Sequence, residues 1–169
     1  MFVLGIDPGL SRCGYALLDT GAAGDAVRAR AMGVLKTLPA LSLPYRLAQL
    51  RDDVDELLAE HDPEVVVVEH VFFQVNVRTA MSVAQAAGLV LAQAATSGAE
   101  VVQYTPNEVK LAVAGYGAAT KAEVQRMVQV RLGLAKRPEP PDAADAAALA
   151  WGHLAHARMR TRIAAAVRS

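Results

Sequence analysis

The sequence predicts an α/β domain: a five-stranded mixed sheet, three antiparallel strands followed by helix-separated ones, with helices on both faces. Two patterns carry this expectation. Three short apolar runs split by turn residues open the chain, which is the signature of an antiparallel meander. From Leu43 onward, helical periods alternate with strand-length apolar runs, which calls for a sheet covered by helices. The 169 residues, about half of them apolar, suffice for one domain with its own core.

Phe2 to Asp7 reads as the first strand, Pro8-Gly9-Leu10-Ser11 as a turn, and Gly14 to Asp19 as the second strand. Gly21 to Asp25 turn the chain again into a third strand, Val27 to Thr37. In Leu43 to Glu60, Leu43, Leu47, Leu50, Val54, Leu57 and Leu58 recur at helical spacing, and Pro63 follows the end. Val65 to Glu69 is a continuous apolar run, hence a strand buried on both faces. Asn76 to Ser97 is a long helix whose Ala80, Ala84, Ala87, Gly88 and Ala92 permit close approach by another helix, within the chain or from a second copy; Gly98 closes it. Val101 to Tyr104 is the fifth strand, and Pro106 suits the first turn of a short helix over Asn107 to Ala114. Gly115 to Ala119 is a flexible connection, and Thr120-Lys121-Ala122-Glu123 is a capping box that opens a helix to about Leu132. Pro138, Pro140 and Pro141 stiffen the approach to a last helix, with Asp142 at its start and its end near His156.

Lys and Arg balance Asp and Glu at 17 each, so net charge neither signals nor excludes nucleic acid. The distribution is uneven. Seven acids crowd Asp52 to Glu64, whereas from Thr105 onward ten basic residues face five acids. A single cysteine, Cys13, excludes an internal disulfide and a Cys-rich zinc site, and fits the cytoplasm. The N-terminus enters a strand without a signal-like segment, and no run is long and apolar enough to predict a membrane span.

The chemistry lies in four acids in apolar or small-residue surroundings: Asp7, Glu69, Asp142 and Asp145. Asp7 and Glu69 end strands. Asp142 and Asp145 are three apart on a helix and so project from one face. If that helix crosses the sheet, four carboxylates meet at one edge and raise each other's pKa unless a hard cation joins them, which suits Mg²⁺ or Mn²⁺. Two ions about 4 Å apart can clamp a phosphodiester, one activating water and one stabilising the leaving oxygen. Taken singly, Asp142 also fits a helix cap, Asp145 a first-turn acid, Glu69 a solvated strand end and Asp7-Pro8-Gly9 a turn. His70 follows Glu69 on the opposite face of its strand. His153 shares the face of Asp145 but lies about 12 Å along the helix; neither histidine is assigned to the site.

The motifs Leu4-Gly5-Ile6-Asp7-Pro8-Gly9 with Gly14-Tyr15, Glu69-His70-Val71-Phe72 with Asn76, Val109-Lys110 with Gly115-Tyr116-Gly117, Lys121 with Val124-Gln125, and Asp142-Ala143-Ala144-Asp145-Ala146 resemble those of the RuvC family of Holliday-junction resolvases, within the ribonuclease H-like nucleases. The resemblance spans about residues 2–156. It implies a homodimer that binds a four-way DNA junction and makes paired symmetric nicks with 5′-phosphate and 3′-hydroxyl ends in recombination and repair, working with a branch-migration complex of RuvA and RuvB. It implies Asp7, Glu69, Asp142 and Asp145 as the set holding two Mg²⁺ or Mn²⁺ ions, and Lys110 and Lys121 as cations near the scissile phosphate. Phe72 matches an aromatic that stacks on junction bases, and Phe73 beside it can share that role. Residues 1–157 then form the nuclease domain and 158–169 a basic tail. Where relatives carry Gly-Gln-Ala-Arg-Gly, this chain has Ala84-Gln85-Ala86-Ala87-Gly88, so DNA binding falls to Arg12, Arg78, Lys110, Lys121, Arg126 and the C-terminal arginines. The rival readings are a related nuclease on another branched DNA or RNA, a sugar-kinase or actin-like ATPase, for which one such domain is too small, and a non-catalytic scaffold, for which four acids beside phosphate make no sense.

Overall fold

The computed structural model describes residues 1–21, 27–70 and 77–167. Its strands are β1 (Phe2–Asp7), β2 (Cys13–Asp19), β3 (Arg28–Leu35), β4 (Val65–Glu69) and β5 (Glu100–Tyr104). They form one sheet in the order β3-β2-β1-β4-β5. β2 pairs antiparallel with β1 and β3, whereas β4 runs parallel to both β1 and β5. The helices are α1 (Leu43–His61), α2 (Val77–Thr96), α3 (Pro106–Ala114), α4 (Lys121–Arg131) and α5 (Pro141–Val167). This is the mixed α/β architecture expected from the sequence, with the long crossovers that parallel pairing requires.

The sheet separates two cores by strand parity. Leu4, Ile6, Leu17, Val66 and Val68 turn to one face and pack with Leu50, Val54, Val90 and Ala94 of α1 and α2. Val3, Ala16, Leu18, Val65 and Val67 turn to the other and pack with α3, α4 and α5. Asp7 and Glu69 continue the second set, two residues beyond Gly5 and Val67. The face that α5 covers is therefore the face to which both acids belong.

Close approach by α5 depends on two glycines. A Cβ on Gly5 would lie 2.0 Å from the carbonyl oxygen of Ala146, and one on Gly14 would lie 2.1 Å from that of Asp142. Ala143, Ala144, Ala146, Ala147, Ala148 and Ala150 are all buried, so small side chains let the helix backbone rest almost directly on the sheet.

Three local expectations need correction. α5 does not stop near His156: the segment expected as a loose basic tail is helical to Val167, because neither Pro nor Gly follows Gly152. β3 ends at Leu35, not Thr37, because the buried Thr37 hydroxyl turns to the carbonyl of Leu10 at 2.6 Å. The connection at 115–119 is a fitted turn: Gly115 caps α3 in the left-handed region at φ 87°, and Ala119 is buried. No helix among the described residues is long and apolar enough to cross a membrane.

Gly5→Ala should destabilise the protein by about 3 kcal/mol, because the added methyl meets backbone that no rotamer change can move. Urea unfolding would show it, and an unchanged midpoint would refute the contact.

Candidate active site

The register of the central parallel pair sets the first half of the site. Ile6 lies beside Val68, so the residues that follow, Asp7 and Glu69, leave the sheet side by side at the C-terminal ends of β1 and β4. α5 supplies the second half. Its first turn rests on Gly14 through the carbonyl of Asp142, which brings Asp142 and, one turn on, Asp145 over the same edge. Asp7, Glu69, Asp145, Lys110 and Lys121 line a cleft of about 320 Å³ with Pro106, Val109, Val124, Ala148 and Leu149.

Two capped helices deliver the lysines. Thr105 and Glu108 form a capping box at the start of α3, and Thr120 and Glu123 form one at the start of α4. The second was expected from the sequence. The first was equally visible as Thr105-Pro106-Asn107-Glu108. Bonds from the Thr120 backbone and the Thr120 and Tyr116 hydroxyls hold the Glu123 carboxyl down at about 2. Lys121 is the first residue of α4, and its Nζ lies 2.5 Å from Asp145 Oδ2. That bond is the main cause of the raised Lys121 pKa.

The acids repel one another and are poorly solvated. Burial first, then the charges of Glu69, Asp145 and Asp142, push Asp7 up to about 7, with Lys121 opposing. Burial and then Asp145 raise Glu69 as well. Asp142 is held by Arg12, whose Nε and Nη2 reach Oδ2 at 2.9 and 2.8 Å. The two α5 acids are thus each drawn to a cation of the protein, and no three acids or histidines among the described residues are already gathered around one point at metal-ligand distance. The donor set itself suits a hard divalent ion: carboxylate oxygens only, close enough to couple, with the pKa of Asp7 raised by burial and by the others.

The remaining expected residues divide. Lys110 lies in the cleft wall, and Arg12 and Arg126 are exposed, although Arg12 is engaged with Asp142. Arg78 is the second residue of α2. Phe72 and Phe73 lie outside the described residues. Ala87, where the family resemblance leads one to expect an arginine, is buried. His153 is buried with Nδ1 3.2 Å from the Tyr104 hydroxyl, and the rings of Tyr104 and His156 stack at 5.3 Å. Thr37 and Arg46 carry no motif, and their contact with the β1–β2 hairpin is visible only once the chain is folded.

With that geometry, comparison with known proteins is informative. The model of the family Crossover junction endodeoxyribonuclease RuvC matches residues 3–153. The crossover junction endodeoxyribonuclease RuvC of Saccharopolyspora erythraea is 49% identical over 98% of this chain and 83% of its own length. Among solved structures, Thermus thermophilus RuvC superposes with a TM-score of 0.84 at 39% identity, covering 95% of this chain and 98% of that one. T. thermophilus RuvC in complex with Holliday junction substrate superposes at 0.83 and 36% identity, covering 94% and 96%.

The electrostatics have a measurable consequence. Asp7 binds its proton more tightly in the folded protein than in the unfolded chain, where it titrates near 3.8. The stability this adds is complete below about pH 4 and is lost as pH rises through about 7. In chelator at pH 8, Asp7→Asn should therefore melt above the wild type by about 2 kcal/mol, less than the full shift implies because water still reaches the cleft. The difference should vanish near pH 4. An Asp7→Asn protein no more stable than wild type at pH 8 would contradict the repulsion.

Proposed function

The chain belongs to the RuvC family of crossover junction endodeoxyribonucleases and is a metal-dependent Holliday-junction resolvase, and on that premise we propose that Asp7, Glu69, Asp142 and Asp145 hold its catalytic ions, two Mg²⁺ or Mn²⁺ per site. The observation that carries this reading is the convergence of acids in one cleft: burial first, and then the charges of Glu69, Asp145 and Asp142, raise Asp7 to about 7, a cost that a divalent cation would offset. Bound there, such ions supply Lewis acidity to the scissile phosphodiester and make water a better nucleophile.

The chain's own residues do the rest. Asp7 must shed its proton to act as a ligand, and its coupling to Glu69, Asp145 and Asp142 places it among the acids that would hold the ions. Lys110 and Lys121 line the same cleft as Asp7, where their charge offsets that developing on the phosphate. Arg12 and Lys121 are tied to Asp142 and Asp145, and freeing those acids for ions frees both cations for DNA phosphates. Arg78 and Arg126 extend the phosphate contacts. Phe72, with Phe73 beside it, keeps the base-stacking role that the family resemblance assigns.

Two symmetric nicks need two copies of a chain that carries one set of acids, so the working unit is a homodimer. The outer side of α2, where Met81, Gln85, Gly88 and Ala92 are exposed at helical spacing, supports that assembly. The partners that move the branch point are RuvA and RuvB, and the enzyme works in the cytoplasm, where it meets DNA.

A mobile synthetic four-way junction, incubated with Mg²⁺, Mn²⁺ or chelator, should receive paired symmetric nicks only with metal. Duplex DNA and structured RNA should stay intact. Asp7→Asn should cut at background while its junction Kd stays within a few-fold of wild type, and retained cutting would sink the ligand assignment. Phe72→Ala should slow cutting with little change in melting temperature; an unaltered rate would move the stacking role to Phe73 or remove it.

A further inference from the structure

The turn between β1 and β2 carries Asp7 at one end and Arg12 near the other, yet most of it is held from outside the site. It is tight: a Cβ on Gly9 would lie 2.3 Å from the Arg12 carbonyl oxygen. Leu10 is buried, and its carbonyl accepts the hydroxyl of buried Thr37 at 2.6 Å. Arg46, in the first turns of α1, then grips both sides. Its Nε donates to Thr37 Oγ1 at 2.9 Å and its Nη2 donates to Ser11 Oγ at 2.6 Å. No ion pair joins Arg46 to an acid among the described residues. A half-buried guanidinium whose fork spans two hydroxyls from two segments is a geometric clamp rather than half of a salt bridge. The residue after Ser11 is Arg12, which takes Asp142 by two nitrogens. An unbroken chain of bonds thus runs from α1 through the turn to the first turn of α5.

We propose that Arg46 is a positioning residue for strand cleavage, acting through Ser11 and Thr37 to fix the turn that sets Asp7 and Arg12. The proposal rests on the assignment of Asp7 and Asp142 to the reacting centre. Arg46 touches no reacting atom; it restricts where Asp7 and the Arg12–Asp142 pair can stand. Lysine at this position keeps the charge but replaces the planar two-nitrogen fork with a single ammonium, so charge and clamp are separable.

The test measures single-turnover cutting of the mobile junction, junction Kd over a range of salt, and melting temperature, for wild type, Arg46→Lys, Ser11→Ala, Thr37→Ser and the Arg46→Lys/Ser11→Ala double variant. Arg46→Lys should cut roughly tenfold to a hundredfold more slowly at saturating junction, with Kd and its salt slope unchanged. Ser11→Ala, an exposed substitution that should fold normally, should slow cutting less. The double variant should be no slower than Arg46→Lys, because both act on one turn. Thr37→Ser, which keeps the hydroxyl, should cut close to the wild-type rate. A wild-type rate for Arg46→Lys overturns the proposal. So does a weaker Kd for Ser11→Ala with an intact cutting rate, which would make the turn a DNA contact. Because lysine retains a phosphate contact, Arg46→Met is added: a salt slope reduced by about 1 with normal cutting at saturation would make Arg46 a phosphate ligand and also overturn the proposal. Asp7→Asn, run in parallel, separates the two readings. If it cuts, the reacting centre itself is misassigned. If it is inactive while Arg46→Lys is normal, only the role of Arg46 fails.

Discussion

The site depends above all on how closely one helix lies on the sheet. A helix packed through ordinary side chains is held off the sheet by them, which keeps its short acids away from those at the strand ends. Here Gly5 and Gly14 remove the side chains beneath α5, and its alanines remove those above, so carbonyls of the helix touch the positions where Cβ atoms would be. Asp142 and Asp145 then fall over the edge where Asp7 and Glu69 emerge. The Ala-rich last helix is therefore not a generic core element. Its blandness is the condition for the chemistry at its first turn.

The close packing has an electrostatic cost, which is distributed in two ways. Asp7 and Glu69, set in the sheet edge, have raised pKa values and form no ion pair of their own among the described residues. The α5 acids each keep one, with Arg12 and Lys121. The cleft is thus close to balanced without any ion, which agrees with a chain whose total charge is zero. Two of the cations around the site, Arg12 and Lys121, are thus held against the protein's own acids.

Much of this was legible in the residues because it follows from short periods. Apolar runs marked Asp7 and Glu69 as strand ends, and a three-residue spacing put Asp142 and Asp145 together; that the two strands are neighbours with both acids on one face is seen only in the folded register. What the sequence could not show were partners brought together by folding: Arg12 with Asp142, 130 positions apart, and Arg46 with Ser11, 35 apart. No local pattern marks a guanidinium destined for a hydroxyl. Two other misreadings had local causes. The end of α5 was expected near His156, although neither Pro nor Gly follows Gly152 to stop the helix. The Thr105 capping box was as visible as the one at Thr120, but Pro106 alone already accounted for the start of α3. His153 stays where its spacing put it, one face with Asp145 but buried against Tyr104 rather than serving the acids.

Lys121 occupies an unusual place for its charge. It is the first residue of α4, where exposed amide groups make the helix end positive and disfavour a cation by about 0.3–1 kcal/mol. Thr120 and Glu123 are committed to each other as a capping box, so Asp145 is the contact that compensates. The lysine is therefore under tension: it is retained by an anion in front while its own helix pushes from behind. Asp145 therefore holds two positions at once: it keeps the ammonium at a helix end that disfavours it, and it does so from the first turns of another helix, so the start of α4 is tied to the start of α5.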